Sequence, residues 1–182
     1  MYGLINSALR SMIIERFGEE KWLSVMESAG VPSDSFMTMR SYDDQITYQL
    51  AGAVSEVLGA PVETCLELFG EYWITVVATN SYGSILDIMG DNVEEFIASI
   101  DSLHDRISTT FINYVPPSFS VTHLDDNQLK VLYTSQRAGL TPFVLGLFKG
   151  IGLRFDKTLS VVSSNTNVNE QGESTEFVLS VA

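Results

Sequence analysis

Between Asp91 and Asn113 the chain reads DNVEEFIASIDSLHDRISTTFIN, its longest clean helical pattern. Val93, Ile97, Ile100, His104, Ile107 and Phe111 recur at spacings of four and three, so they share one face of a helix. Asp91 with Glu94, or Asn92 with Glu95, can form a capping box at its start. Val115-Pro116-Pro117 stops it, because a residue before proline is pushed out of the helical region. This stretch limits the fold, since its apolar face has to be buried, and in the middle of that face stands one of the chain's two histidines. Two readings of His104 stand at this point. One is a core histidine whose ring nitrogens meet a carbonyl and a water. The other is an imidazole aimed into an apolar cavity as the axial ligand of a haem iron, for which one histidine suffices because the porphyrin supplies four nitrogens.

Composition narrows the partners. The chain carries 23 Asp+Glu against 10 Lys+Arg, a net charge of −13. That argues against nucleic acid and against an anionic membrane surface, both of which need clustered cations. Cys65 is the only cysteine, so no intrachain disulfide and no thiolate zinc or iron–sulfur site can be built, which suits a reducing cytoplasm. MYGLINSALRSMIIERF at the N-terminus lacks the basic first region and continuous apolar core of a signal peptide. No run of 18 apolar residues exists to span a membrane.

In chain order, the periodicity predicts helices over 4–17, over Glu19–Ala29 with Gly30 as its stop, and over about Asp43–Leu58 with Gly59 as its cap. Val31 to Arg40 reads as a loop. Pro61 suits the first turn of a fourth helix, and Gly70 reads as a break within it. Beyond it Tyr72, Trp73, Ile74, Val76 and Val77 are apolar most of the way round, as in a helix buried on several sides. Asn80–Gly83 reads as a turn. After Pro117 the pattern alternates. Strands are expected at Ser118–Thr122, Leu129–Ser135, Leu159–Ser163 and Thr175–Val181, with Asp125-Asp126-Asn127 as a hairpin turn and Asn165–Ser174 as an exposed loop. Between the two hairpins Thr141-Pro142, as N-cap and first residue, opens a very apolar helix. The fold class is α+β: an N-terminal helical subdomain, then β-β-α-β-β on an antiparallel sheet. Residues 1–182 are expected to be one domain, divided at about 65/66 into a helical subdomain and a helix-plus-sheet subdomain.

Tyr133, Ser135 and Arg137 lie at i, i+2 and i+4 at a strand end, so they point the same way and offer a phenol, a hydroxyl and a guanidinium fork. Alone they could be a polar solvated face. Beside an apolar cavity holding His104, a carboxylate clamp has a client in the two haem propionates.

These pieces resemble the haem-nitric oxide/oxygen-binding (H-NOX) family, which includes the haem domain of the soluble guanylate cyclase β subunit. The resemblance is carried by the MYG start, Phe69–Trp73 (FGEYW), Leu103-His104-Asp105-Arg106, Pro116-Pro117-Ser118-Phe119, Tyr133-x-Ser135-x-Arg137 and Val144-Leu145-Gly146-Leu147. It implies haem b buried between the subdomains, His104 as the iron ligand, and Tyr133, Ser135 and Arg137 on the propionates. It also implies that Pro117 presses on the porphyrin. Members that hold O2 carry a tyrosine at a position that is Pro142 here by one alignment and Phe143 by another. Neither has a side-chain donor, although the nearby Trp73 has an indole N–H. With Ile5, Val77 and Leu147 completing an apolar distal wall, the expectation is a ferrous haem that binds NO and CO and discriminates against O2.

By the same resemblance the chain is a sensor and not an enzyme. The resemblance further implies that NO weakens the bond trans to it: if the Fe–His104 bond lengthens or breaks, the 91–113 helix is no longer tethered to the iron and the porphyrin can relax against Pro117. With no output domain after Ala182, it is expected to act in trans, as stand-alone bacterial members do, on a histidine kinase or a cyclic-di-GMP synthase or hydrolase. The rival readings are an O2 or redox sensor, a haem enzyme using His123, and a metal-free interaction module.

Overall fold

Helix α1 (Gly3–Phe17) starts almost at the N-terminus, where Tyr2 is bridged to Ser41. In the computed structural model residues 1–32, 36–109, 114–125 and 127–182 are described. Helices α2 (Glu19–Ala29), α3 (Asp44–Leu58) and α4 (Val62–Tyr72) follow. Their ends are chemically specified. Asp43 caps α3 by accepting from the Gln45 N–H at 2.9 Å. Gly30 and Gly59 end α2 and α3 in the left-handed conformation that glycine adopts without strain. Pro61 is the N-cap of α4, one residue ahead of the first-turn position expected for it. Met12, Ile13, Val25, Leu50, Val54, Phe69 and Tyr72 belong to one core cluster gathered by these helices.

Gly70 does not break the fourth helix. The chain runs through it, continues as a π-helix over Trp73–Ala78, and then as α5 (Thr79–Leu86). The expected turn at Asn80–Gly83 is a single non-helical residue, Tyr82 (φ −137°, ψ 17°), inside α5. Gly70 is there for space: a Cβ on it would collide with the carbonyl oxygen of Phe143 on α8 (Thr141–Arg154), and one on Gly146 would collide with that of Glu67. The backbones of α4 and α8 therefore touch through two glycines.

The stretch read as one helix over 91–113 is two. Helix α6 covers Val93–Ala98 and α7 covers Ile100–Ser108, with Ser99 between them at φ −87°, ψ −8°. The Ser99 N–H is shared by the carbonyls of Glu95 (3.0 Å) and Phe96 (3.2 Å), a bifurcation that tightens the last turn of α6. The reason is packing: α6 buries Val93, Phe96 and Ile97, whereas α7 turns Leu103, His104 and Ile107 toward a cavity. Of the two capping boxes, Asn92 with Glu95 forms. Asn92 accepts from the Glu95 N–H (3.0 Å) and Glu95 reaches back to the Asp91 N–H (2.9 Å). Phe111, the Asn113 end of the expected helix, and Asp126 of the expected turn lie outside the described residues.

Four strands among the described residues form one antiparallel sheet in the order β1-β2-β4-β3: β1 Ser118–Asp125, β2 Gln128–Ser135, β3 Leu159–Asn169 and β4 Gly172–Val181. Asn165–Ser174 is not a loop. The β3–β4 ladder extends to Asn169↔Gly172, because the Asn169 side chain accepts from the Gln171 N–H (2.8 Å) and Gly172 has φ 126°. A polar composition hid these residues, which are largely solvated but paired up to the two-residue turn at Glu170-Gln171. The N-cap of α8 is Leu140, not Thr141, whose hydroxyl is taken by Glu173. Alternate β2 residues Leu129, Val131, Tyr133 and Ser135 are buried, and a second core cluster joins Ile97, Val131, Phe148, Phe177 and Leu179.

Candidate functional site

A cavity of about 280 Å³ lies where the helical and sheet parts meet. Its lining includes His104, Pro117, Tyr133, Ser135 and Arg137, and also Ile5, Trp73, Phe143 and Leu147. Every site residue expected from the sequence is therefore brought to one space, with one exception. Val77 is not on the lining; Ala78 is. The π-helix explains this, since its wider turn rotates each following residue relative to an α-helical count. Val77 packs instead with the N-terminal core cluster. Of the two alternatives for the O2-donor position, Phe143 is on the lining and Pro142 is not.

His104 is held by one hydrogen bond, from Nδ1 to the carbonyl oxygen of Pro117 at 3.1 Å. A carbonyl only accepts, so Nδ1 carries the proton and Nε2 keeps its lone pair. Burial pushes the imidazole pKa down, against opposing pulls from the Pro117 carbonyl, Asp101 and Asp105. The ring is thus a neutral imidazole with Nε2 free to ligate, and its orientation is set by the backbone carbonyl of another element. The Tyr114 ring stands edge-on to it, 6.1 Å between centroids. Asp101, one turn earlier on α7, accepts from the Ser118 hydroxyl (2.7 Å) and the Phe119 N–H (2.8 Å). Two ties therefore bind α7 to the segment that begins β1.

The polar end of the cavity is built by β2 and the bend that follows it. Tyr133 packs on Phe119, its pairing partner on β1, with centroids 5.3 Å apart. Burial pushes its phenol pKa up to about 12. Arg137 lies two residues beyond the strand end, so the bend sets its direction; its N–H donates to Ser135 Oγ at 3.0 Å. The guanidinium donates to Asp44 (Nε at 2.7 Å) and to the Val115 carbonyl (Nη1 at 2.8 Å). Asp44 is also bonded by the Met1 ammonium. Burial would raise the Asp44 pKa, but the ammonium and Arg137 together outweigh it and hold the carboxyl below its ordinary value.

Asp44 and Tyr114 were not legible as site residues in the sequence. Asp44 looks like an ordinary first-turn acid of α3, and it meets Arg137 across 93 residues. His123, the other histidine, is half exposed, pairs with Glu94 at 3.0 Å, and is not on the lining of this cavity. An aromatic trio fills the part of the wall read as distal: Phe69, Trp73 and Phe143 pack with centroids 5.3 to 6.4 Å apart.

Among the described residues no group of three or more His, Cys, Asp or Glu could hold a bare metal ion. One neutral imidazole can ligate a metal only with help from a ligand that brings its own donors. An apolar cavity with such an imidazole on one element and a phenol, hydroxyl and guanidinium on another is the donor set of a haem pocket.

The chain belongs to the haem-NO-binding family, whose model matches residues 2–163. Haem is its cofactor, and the metal-free reading is set aside. It is similar to the soluble guanylate cyclase gcy-32 of Caenorhabditis elegans, 31% identical over 166 residues, covering 89% of this chain and 24% of that protein. It is also similar to soluble guanylate cyclase 89Db of Drosophila melanogaster, 26% identical over 171 residues, covering 92% and 26%. The chain thus spans about a quarter of the length of these relatives. Its fold is that of an H-NOX protein from S. oneidensis in the Fe(II)NO ligation state (TM-score 0.85, 18% identity, 100% and 99% coverage). It is likewise that of the unliganded Fe(II) H-NOX protein from K. algicida (TM-score 0.83, 20% identity, 100% and 97% coverage). Among the described residues no helix is long and apolar enough to cross a membrane.

Proposed function

We propose that this protein is a haem-based nitric oxide sensor that regulates a signalling enzyme and is not itself an enzyme. The observation that carries the reading is the His104–Pro117 pair, a neutral imidazole locked in one tautomer by a backbone carbonyl, facing a cavity whose other end is Tyr133, Ser135 and Arg137. Bound haem supplies an iron with an open coordination position for a diatomic gas. His104 would hold that iron, Tyr133, Ser135 and Arg137 the propionates, and Pro117, which lines the cavity, would set how the porphyrin is seated.

Selectivity is read from the part of the lining taken as distal; elsewhere the lining carries the hydroxyls of Tyr2, Ser41, Thr47, Tyr82 and Tyr114. Bound O2 draws negative charge and gains from a buried hydrogen-bond donor; NO on ferrous iron carries far less charge. Ile5, Phe69, Phe143 and Leu147 have no such donor, and the Trp73 N–H is the one indole in the lining. The expected preference is NO and CO over O2.

The output would be mechanical. His104 and Asp101 both tie α7 to residues 117–119, so displacement of the imidazole moves α7 and the start of β1 as one body. The helical part follows through the Arg137–Asp44 pair, which spans the two halves. The partner favoured by the resemblance to stand-alone bacterial members is a histidine kinase or a cyclic-di-GMP synthase or hydrolase, in the cytoplasm.

The test is the absorption spectrum of the ferrous protein with no ligand, NO, CO and air in turn. A Soret band that moves with NO and CO and is unchanged in air supports the proposal. A stable O2 complex, or protein that takes up no added hemin, defeats it. His104→Gly supplied with free imidazole isolates the tether: haem should still bind NO, and the response of the partner should vanish.

A further inference from the structure

Glu173 is 4% exposed, yet nothing in the haem reading uses it. It is the second residue of β4 and pairs with Ser135, the last residue of β2. Gly172 before it is tight against the same place: a Cβ there would collide with the Ser135 carbonyl oxygen. The Glu173 carboxylate accepts three hydrogen bonds, from the Gly139 N–H (2.6 Å), the Thr141 N–H (3.0 Å) and the Thr141 hydroxyl. The Gly139 donor belongs to the bend between β2 and α8 that carries Arg137, and the two Thr141 donors belong to the first residue of α8, where that bend ends. The contact continues across the sheet through hydroxyls, since Thr141 Oγ1 lies 2.9 Å from Thr175 Oγ1, which lies 2.9 Å from Thr166 Oγ1 on the edge strand β3. Thr175 is fully buried.

A carboxylate offers only acceptors, so it suits a bend and helix start that together present three donors to it. The 136–140 bend belongs to no helix or strand, and Gly139 within it has φ 81°; its other ties are the Tyr48 hydroxyl, which donates to the Ala138 carbonyl at 2.9 Å, and the bonds of Arg137 to Ser135, Asp44 and Val115. We propose that Glu173 is a positioning residue of the haem site. It fixes the 136–140 bend so that Arg137 is presented at the cavity between Ser135 and Asp44. The β4 strand thereby sets the geometry of a clamp that belongs to β2. This rests on reading Tyr133, Ser135 and Arg137 as the carboxylate clamp.

Glu173→Gln keeps the side-chain shape but turns one accepting oxygen into an N–H2 donor facing other donors, leaving a buried donor unpaired. The experiment compares haem-loaded wild type, Glu173→Gln, Arg137→Gln and the double variant. Loss of hemin to excess apomyoglobin is timed, and the propionate bending band is recorded by resonance Raman on the ferrous protein. Glu173→Gln should speed hemin loss by roughly tenfold and shift the band. In the Arg137→Gln background it should add less than about twofold, because residues acting through one another are not additive. The same fold-change in both backgrounds, or an unmoved band, overturns the proposal. Arg137→Gln with unchanged hemin loss overturns the clamp reading and this inference with it. Faster loss in Arg137→Gln but not in Glu173→Gln overturns this inference alone. If Glu173→Gln does not fold, Thr141→Val, which removes a single donor, carries the test: roughly two- to threefold faster loss is expected, and an unchanged rate overturns the proposal.

Discussion

Replacing Gly146 by alanine should destabilise this protein, although alanine is the better helix former. Gly146 is on α8 where it meets α4, and an added Cβ would collide with the Glu67 carbonyl oxygen and stand 2.8 Å from the Glu71 nitrogen. Both obstacles are backbone, so no rotamer change relieves them and the two helices must separate. Overpacking of this kind costs about 1–3 kcal/mol, and a rigid backbone obstacle belongs at the upper end. The gain in helix propensity returns about 1 kcal/mol. The net loss of about 2 kcal/mol should lower the melting temperature by roughly 4–8 °C for a chain of this size. Gly52 on α3 is the matched control, because an added Cβ there has nothing within 4 Å. Gly52→Ala should raise the melting temperature by roughly 2–4 °C through propensity alone. Calorimetry on both haem-loaded variants decides the matter. The Soret response to NO should change in Gly146→Ala only, since α4 and α8 carry Phe69 and Phe143 of the lining. A Gly146→Ala protein that melts at or above wild type would refute the close approach of the two helices.

Two further outcomes are expected. The Asp44 carboxyl is held below its ordinary value of 3.8, so the stability it contributes is fully present above that pH and is lost as pH falls through the lowered folded value. Asp44→Asn should therefore be less stable than wild type at neutral pH and converge with it in acid, as read by melting temperature against pH; a gap that persists in acid excludes a titrating origin. Phe143→Tyr places a phenol in the lining, and a hydrogen bond from it should raise O2 affinity by roughly two- to tenfold in a ferrous titration, whereas no gain would mean that position 143 does not face the gas.

Much of the site was legible because its parts are local. A histidine on an apolar helical face, a helix stopped by Pro116-Pro117, and a Tyr-x-Ser-x-Arg run at a strand end are each visible within a few residues of chain. Their meeting around one cavity was reached through the family resemblance. Gly70 misled for a physical reason: a glycine inside a helical pattern weakens local propensity, and only the neighbouring helix reveals that the missing Cβ makes room. Asn165–Ser174 misled in the opposite sense, because the edge strand β3 is solvated along nearly its whole length and shows no alternation to read, and the buried position that opens β4 is a glutamate.

By itself the sequence determined most of the order of helices and strands and several of their caps, because those depend on periodicity and on residue type, and it singled out His104, Tyr133, Ser135 and Arg137 as candidates by residue type and spacing. Tertiary structure alone decided the break of the Asp91–Asn113 stretch at Ser99, the π-helix that puts Ala78 rather than Val77 on the lining, and the tautomer of His104. It also decided that Arg137 is anchored by Asp44 and its bend by Glu173. Each of these is set by a contact between residues far apart in the chain or by two elements competing for one space, and neither leaves a mark on the local pattern.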